Sequence, residues 1–280
     1  MIAYRASTTL VVALGILAQM GQAMPEASKE TQQYNATRLD FSVGEFEGFV
    51  ILPPDAETTP GESIPWVWYA PTFIRIYPND VHAWMAHQLL DAGFAIAGVD
   101  VGESYGSPNG VHAYDDFYDY VVREFGFAPK ACLLPQSRGG LMLLNWAAEN
   151  PESVQCIAGI YTVCNLESYP GLERACDAYG MSENTLRNNL KSHNPIDRAN
   201  RLAEAKIPVL FIHGDNDTVV PLEDNAGMLV DRVRALDGIA ELIVVPGKGH
   251  EEAAAFFRSQ PFVDFLLRQG APLSITTEDN

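Results

Sequence analysis

The chain has 280 residues, 47% of them hydrophobic, which is enough to bury the core of one large domain. Its formal net charge is −18, from 18 Lys and Arg against 36 Asp and Glu. That balance argues against nucleic acid and anionic membrane surfaces as partners, because phosphate binding needs Lys and Arg. It favours solubility without naming a ligand.

The first residues combine Arg5, an apolar stretch over residues 9–18 and the small residues of Gly21-Gln22-Ala23. This order predicts a secretory signal peptide over residues 1–23. The apolar stretch is short for a membrane span, a retained N-terminal anchor being the alternative. The expected mature protein, residues 24–280, is a single domain, secreted or periplasmic, with no stable membrane insertion.

Residues 24–36 are polar and expected to be loose. Alternation over residues 38–53 (Leu39, Phe41, Val43, then Phe46, Phe49, Ile51) predicts a β-hairpin at a sheet edge. Residues 54–63 read as a loop and residues 64–70 (IPWVWYA) as a buried strand. Asp80 is the expected N-cap of a helix that places Val81, Trp84, Met85, Leu89 and Leu90 on one face. Gly93 ends it, and residues 94–99 form the next strand. The turn Asp100-Val101-Gly102-Glu103-Ser104-Tyr105-Gly106 follows, with Tyr105 a candidate pocket residue. Residues 113–125 predict a helix.

An apolar strand at residues 131–134 and a packed helix at 141–148 enclose Pro135-Gln136-Ser137-Arg138-Gly139-Gly140. A serine on a glycine-flanked strand-to-helix turn has the layout of a nucleophile elbow. Its hydroxyl is a weak nucleophile until a base takes the proton. The motif therefore demands an acid and a histidine later in the chain. After the strand at 154–161, residues 164–194 interrupt the alternation of strand and helix. They include a short helical run, 182–191, and are expected to form a lid at about 163–195; a surface excursion away from the site is the alternative.

The strand at 207–212 leads into His213-Gly214-Asp215-Asn216-Asp217, and the strand at 242–245 into Pro246-Gly247-Lys248-Gly249-His250. Asp217 is preferred to Asp215 as the acid because it lies nearer Val220-Pro221, where the loop turns away. In the order Ser137, Asp217, His250, the histidine takes the serine proton and returns it to the leaving group. The aspartate fixes the imidazole tautomer. A closing amphipathic helix is expected at 262–268, and a disordered tail from Gly270.

Acyl transfer needs two N–H donors at the developing oxyanion. Arg138 supplies one. The loop after the strand at 64–70 supplies the other; Pro71 has no N–H, so Thr72 is the first candidate and Phe73 the second. Arg75 follows this loop, where a guanidinium suits an anionic part of a substrate, a surface ion pair being the alternative. The scattered histidines, with no H-E-x-x-H, paired Cys motif, P-loop or G-x-G-x-x-G, point to neither metal nor cofactor. Cys132 and Cys156 lie in strands and read as core residues. Cys164 and Cys176 flank the loop-rich segment and are the disulfide candidates.

With these residues, the chain resembles the α/β-hydrolase superfamily, and more narrowly the group around prolyl oligopeptidases, acetyl xylan esterases and dienelactone hydrolases. The resemblance spans about residues 64–268. It rests on QSRGG at 136–140, HGDNDTVVP at 213–221, GKGH at 247–250, DVGESYG at 100–106 and NPID at 194–197. It implies an α/β fold, a mostly parallel sheet with helices on both faces, and Ser137, Asp217 and His250 as nucleophile, acid and base. Two positions depart from the group. Pro135 stands where glycine is usual, and Ala70-Pro71 where His-Gly is usual. The 280 residues leave no room for a propeller domain, which turns the expectation away from a peptidase of that type.

The expected function is therefore an exported serine esterase acting on small or carbohydrate-linked carboxylic esters. The carbohydrate is suggested by export, the resemblance and an aromatic surround of Tyr77, Tyr105, Tyr114, Phe117 and Tyr118. A serine peptidase or amidase with the same triad is the alternative, and a catalytically silent binding protein the second.

Overall fold

Strands buried on both faces read as continuous apolar runs, and five of them build the centre of the sheet. They are β4 (Trp66–Ala70), β5 (Ala95–Asp100), β6 (Ala131–Pro135), β7 (Val154–Ile160) and β8 (Val209–Gly214). The computed structural model describes residues 29–54, 63–73 and 76–270. The expected signal peptide, most of the loop at 54–63, Arg75 and the tail beyond Gly270 lie outside the described residues.

The described strands form one sheet in the order β1-β2-β3-β5-β4-β6-β7-β8-β9. Here β1 is Lys29–Gln33, β2 Ala36–Val43, β3 Phe46–Leu52 and β9 Ala240–Val245. The strands from β5 through β4 to β9 run parallel, while β1, β2 and β3 add an antiparallel edge. The expected edge hairpin is thus present as β2 and β3. Residues 29–33, expected to be loose, are instead a paired strand. They turn into β2 through Tyr34-Asn35, both at positive φ (54° and 59°), the geometry of a two-residue hairpin turn.

Alternate side chains of each central strand enter opposite helical layers. Trp66, Trp68 and Ala70 of β4 face one layer. It holds Tyr114 and Phe117 of α2 (Pro108–Phe125) and Trp146 of α3 (Gly139–Glu149). The layer is completed by α7 (Ala199–Glu204) and α8 (Ala226–Ala235). Val67 and Tyr69 face the other, with Met85 and Leu89 of α1 (Ala83–Asp91) and Phe262 and Leu266 of α10 (Gln260–Gly270). Both faces of the sheet are covered, as expected.

Two helix starts differ from expectation. The N-cap before α1 is Asn79, not Asp80: Asn79 Oδ1 accepts from Val81 N, and His82 Nδ1 accepts from Asn79 N, closing a capping box. Helix α2 begins at Pro108, capped by Ser107, rather than near residue 113. Ser-Pro-Asn-Gly reads as a turn, but proline suits the first helical position. Gly110 is needed there because a Cβ would meet Ser104 Cβ at 2.5 Å.

The interrupting segment contains α4 (Leu172–Tyr179), α5 (Glu183–Asn188) and α6 (Leu190–His193). Its two ends are tied together by side-chain amides. Asn194 Oδ1 accepts from Leu166 N (2.9 Å), and Asn194 Nδ2 donates to Asn165 Oδ1 (3.1 Å). Asn225 Oδ1 accepts from the N–H groups of Cys164 and Asn165. The apolar side of the segment, Leu172, Ala175, Tyr179 and Leu186, packs on Leu141, Val163 and Val220. The insertion therefore lies beside the start of α3 and the acid loop, not as a distant surface excursion.

The expected Cys164–Cys176 disulfide does not form; all four cysteines are free. Cys164 is buried in the layer with Trp146, its Sγ donating to Thr162 O (3.5 Å). Cys176 sits on α4, its Sγ donating to the Leu172 carbonyl one turn back (3.2 Å). Cys164 is thus buried under the sheet, while Cys176 lies half-buried on the insertion.

Asn194→Ala leaves the Leu166 N–H without its acceptor in a fully buried site. The expected loss is about 1–3 kcal/mol of unfolding free energy, read as a lower urea midpoint. An unchanged midpoint contradicts the clamp.

Candidate active site

Ser137 occupies a left-handed backbone conformation, φ 50°, that non-glycine residues rarely adopt. Its surroundings hold it there. Gln136 N donates to Ala70 O (2.7 Å), Ser137 N to Ile160 O (3.0 Å), and Ser137 O accepts from Val163 N (2.9 Å). The turn is thereby stitched to the ends of both neighbouring strands. A Cβ on Gly139 would lie 2.1 Å from Ala70 O, and one on Gly140 2.1 Å from Val163 O. Only glycine at both positions lets α3 start this close to the sheet. Pro135 is compatible with the elbow because its backbone donors are those of Gln136 and Ser137.

The three side chains anticipated from separate strand ends meet. Ser137 Oγ is 2.8 Å from His250 Nε2, and His250 Nδ1 is 2.8 Å from Asp217 Oδ2. With Nδ1 donating to the carboxylate, Nε2 is left as the acceptor for the serine proton. Asp215 has a different role. It accepts from Gly247 N (2.6 Å), while Asn216 N donates to Lys248 O (2.9 Å). These bonds zip the acid loop to the histidine loop.

Asp217 is buried, and its Oδ1 accepts from Val219 N (2.9 Å) and Val220 N (2.8 Å). Burial works to raise its pKa. Hydrogen bonds from His213, His250 and the Val220 N–H outweigh it and hold the carboxyl well below the usual carboxylate range. His213 was given no role by the sequence beyond its place in the motif. It is fully buried, with Nε2 2.9 Å from Val220 O and 3.4 Å from Asp217 Oδ2.

Among the described residues, the N–H groups of Arg138 and Thr72 have no backbone acceptor, whereas Phe73 is bridged antiparallel to Tyr77. The Ala70-Pro71 bond is cis. Thr72 is buried and its Oγ1 donates to Tyr69 O (3.1 Å). The Arg138 side chain is half exposed, pairs with Glu103 and lies over the Phe73 ring at 5.7 Å. Tyr105, at φ 48°, accepts at its carbonyl from Tyr179 Oη of the insertion (3.0 Å). Burial and the Glu103 carboxylate push its phenol pKa up. Arg75 lies outside the described residues.

The expected aromatic surround is largely core. Tyr114 and Phe117 are buried against Trp68 at 5.0 and 5.2 Å, and Tyr118 packs on Trp146 at 5.4 Å. Tyr77 and Tyr105 remain near the site. Tyr77 Oη donates to Glu252 Oε1 (2.8 Å), two residues beyond His250. Tyr161, which the sequence placed only in a strand, lies against the His250 ring with centroids 4.6 Å apart. Among the described residues, no three His, Cys, Asp or Glu side chains gather as a metal site.

A mostly parallel sheet covered on both faces, with a serine, an acid and a histidine on three separate strand-end turns, defines an α/β-hydrolase of the serine-hydrolase type. Within that class, the chain belongs to the prolyl oligopeptidase family, whose model matches residues 107–269. No curated protein sequence matches it. Solved structures share the fold at low identity. An S-formylglutathione hydrolase from Agrobacterium tumefaciens superposes with a TM-score of 0.67 at 16% identity, covering 87% of this chain and 99% of that one. Est1E from Butyrivibrio proteoclasticus gives 0.60 at 14%, covering 86% and 98%. A puromycin-hydrolyzing peptidase from Mycobacterium tuberculosis gives 0.64 at 16%, covering 85% of this chain and 40% of that one.

The depressed Asp217 pKa sets a sign for the effect of acid on stability. Its stabilisation is fully present above the unfolded carboxylate value, about 3.9, and is lost as pH falls toward the lower folded value. The urea-midpoint gap between wild type and Asp217→Asn is therefore expected to shrink on acidification from about pH 5 to about pH 3. A gap that stays constant over that range contradicts the assignment.

Proposed function

We propose that this chain is a serine esterase acting on small carboxylic esters, with Ser137 as nucleophile, His250 as base and Asp217 as acid. The observation that carries the reading is the continuous bond path from Ser137 Oγ through His250 to Asp217, 2.8 Å at each step, on a strained elbow. Ser137 Oγ attacks the ester carbonyl as His250 Nε2 takes its proton. The carbonyl oxygen becomes an oxyanion, held by the N–H of Arg138 and that of Thr72 or Phe73. His250 then protonates the departing alkoxide, and water attacks the acyl-enzyme by the reverse proton route. Asp217 stays ionised and stabilises the imidazolium.

The ester reading is supported by the two structures that this chain matches along nearly their whole length, one of them named an S-formylglutathione hydrolase. The peptidase is matched over 40% of its chain. The family also keeps the amidase reading in play, since an amine leaving group would use the same proton from His250. The signal-like residues 1–23 support export of the enzyme. A carbohydrate-linked ester is one substrate class to test, now resting on export and resemblance rather than on an aromatic surround.

The test is a parallel assay of p-nitrophenyl acetate, methyl-esterified, acetylated and feruloylated sugars, and aminoacyl p-nitroanilides. Ester turnover should exceed anilide turnover, and Ser137→Ala should lower it by at least about 10³-fold. Faster anilide cleavage would replace the esterase reading with the amidase one. Turnover that survives Ser137→Ala in contaminant-free protein would remove Ser137 as the nucleophile.

A further inference from the structure

Gln136 immediately precedes Ser137, yet its side chain is buried, 5% exposed. A buried amide is expensive unless its groups are bonded, and here both ends are. Oε1 accepts from Tyr69 Oη (2.8 Å) and from His82 Nε2 (2.8 Å). Nε2 donates to the Tyr161 hydroxyl (2.7 Å). The partners come from β4, from the turn before α1 and from the end of β7, so one side chain ties three elements together behind the elbow. Asn79 N donates to His82 Nδ1 (3.2 Å), leaving Nε2 with the proton, and burial pushes the His82 pKa down, keeping the ring neutral. This sets which end of the Gln136 amide faces His82 and which faces Tyr161.

Tyr161 is the link forward. Its backbone is held at φ 35°, unusual for an aromatic residue, with its N–H donating to Ile212 O (2.8 Å). Its ring lies 4.6 Å from the His250 ring at 59°, and edge-on to Phe256 (5.3 Å) and Phe257 (6.0 Å). The His250 imidazole is bonded at both nitrogens, and among the described residues Tyr161 is the aromatic ring in contact with it, tilted to it.

We propose that Gln136 is a positioning residue: through its hydrogen bond to the Tyr161 hydroxyl it fixes the ring that holds the His250 imidazole in line between Ser137 and Asp217. The inference rests on the triad roles proposed above. It assigns to the residue before the nucleophile an effect on the base rather than on the nucleophile. Misplacing a catalytic group by a fraction of an ångström slows the chemical step more than substrate binding, so the loss should fall on kcat.

The experiment is a double-mutant cycle with Gln136→Leu, Tyr161→Phe and the pair, assayed on whichever ester or anilide the wild type cleaves. Tyr161→Leu is a fourth variant, and thermal melting is recorded for each. Each of the first two is expected to lower kcat about three- to tenfold with KM within about twofold. The pair should fall no more than about twofold below the weaker single variant, because both changes break the same bond. Tyr161→Leu, which removes the ring itself, should lower kcat further. Losses that multiply in the pair, or that lie in KM, overturn the proposal. If Gln136→Leu does not fold, Tyr161→Phe decides: unchanged kcat overturns the proposal, and a kcat-borne loss that deepens in Tyr161→Leu supports it. Activity persisting in Ser137→Ala would instead defeat the triad reading, a separate and distinguishable outcome.

Discussion

Gly139 packs so tightly on the end of β4 that a Cβ would sit 2.1 Å from the Ala70 carbonyl oxygen, and Gly140 is equally close to Val163 O. This double close approach lets the chain pass from β6 into α3 in three residues. It forces Ser137 into positive φ and aims its hydroxyl out of the sheet. The same turn leaves the Arg138 N–H without a backbone partner. The hydroxyl and the N–H proposed as nucleophile and oxyanion donor are therefore both products of one packing constraint, and neither depends on a flexible side chain finding its place.

The acid and base are positioned by the same sheet but through loops of different character. β8 and β9 end side by side, and the two loops are joined by Gly247 N donating to the Asp215 carboxylate and Asn216 N donating to Lys248 O. Gly214 allows this, since a Cβ there would meet Lys248 O at 2.1 Å. The Asp217 carboxylate is out of water, so it needs donors on every side. The N–H groups of Val219 and Val220, with His213 and His250, supply them. Keeping this carboxylate ionised beside His250 fixes the imidazole's proton on Nδ1. Gln136 and Tyr161 fix the same ring through packing. The base is thus constrained along its bonding edge and across its plane by different strands.

The parts of the molecule legible in the sequence are those whose signal is local. Central strands announce themselves as apolar runs because both faces are covered, and Gly139-Gly140 beside Ser137 marks a turn that other residues cannot make. Asp217 could be separated from Asp215 by its place in the loop, and the bonds of Asp215 to Gly247 explain why the nearer carboxylate serves another purpose. What stayed hidden depends on partners distant in the chain. Lys29–Gln33 is polar and becomes a strand only because β2 offers an edge. Ser107-Pro108 reads as a turn until Gly110 is seen to make room for Ser104. Cys164 and Cys176 are close in sequence, but one is buried under the sheet and the other lies on α4. Tyr114, Phe117 and Tyr118 share one helix, whose inner face is core, so their aromatic character said nothing about a ligand. The roles of Gln136 and His213 have no pattern of their own, because each is defined by what surrounds it in three dimensions.

The central claim is that Ser137, held in its strained turn and bonded to His250, forms a covalent acyl-enzyme. The most direct measurement is labelling of the folded protein with a fluorophosphonate, followed by mass analysis of the intact chain and its peptides. The predicted result is one adduct per chain, on the peptide containing Ser137, abolished by prior unfolding and strongly slowed in His250→Ala. Labelling at another serine, or none while the protein hydrolyses an ester, would contradict it.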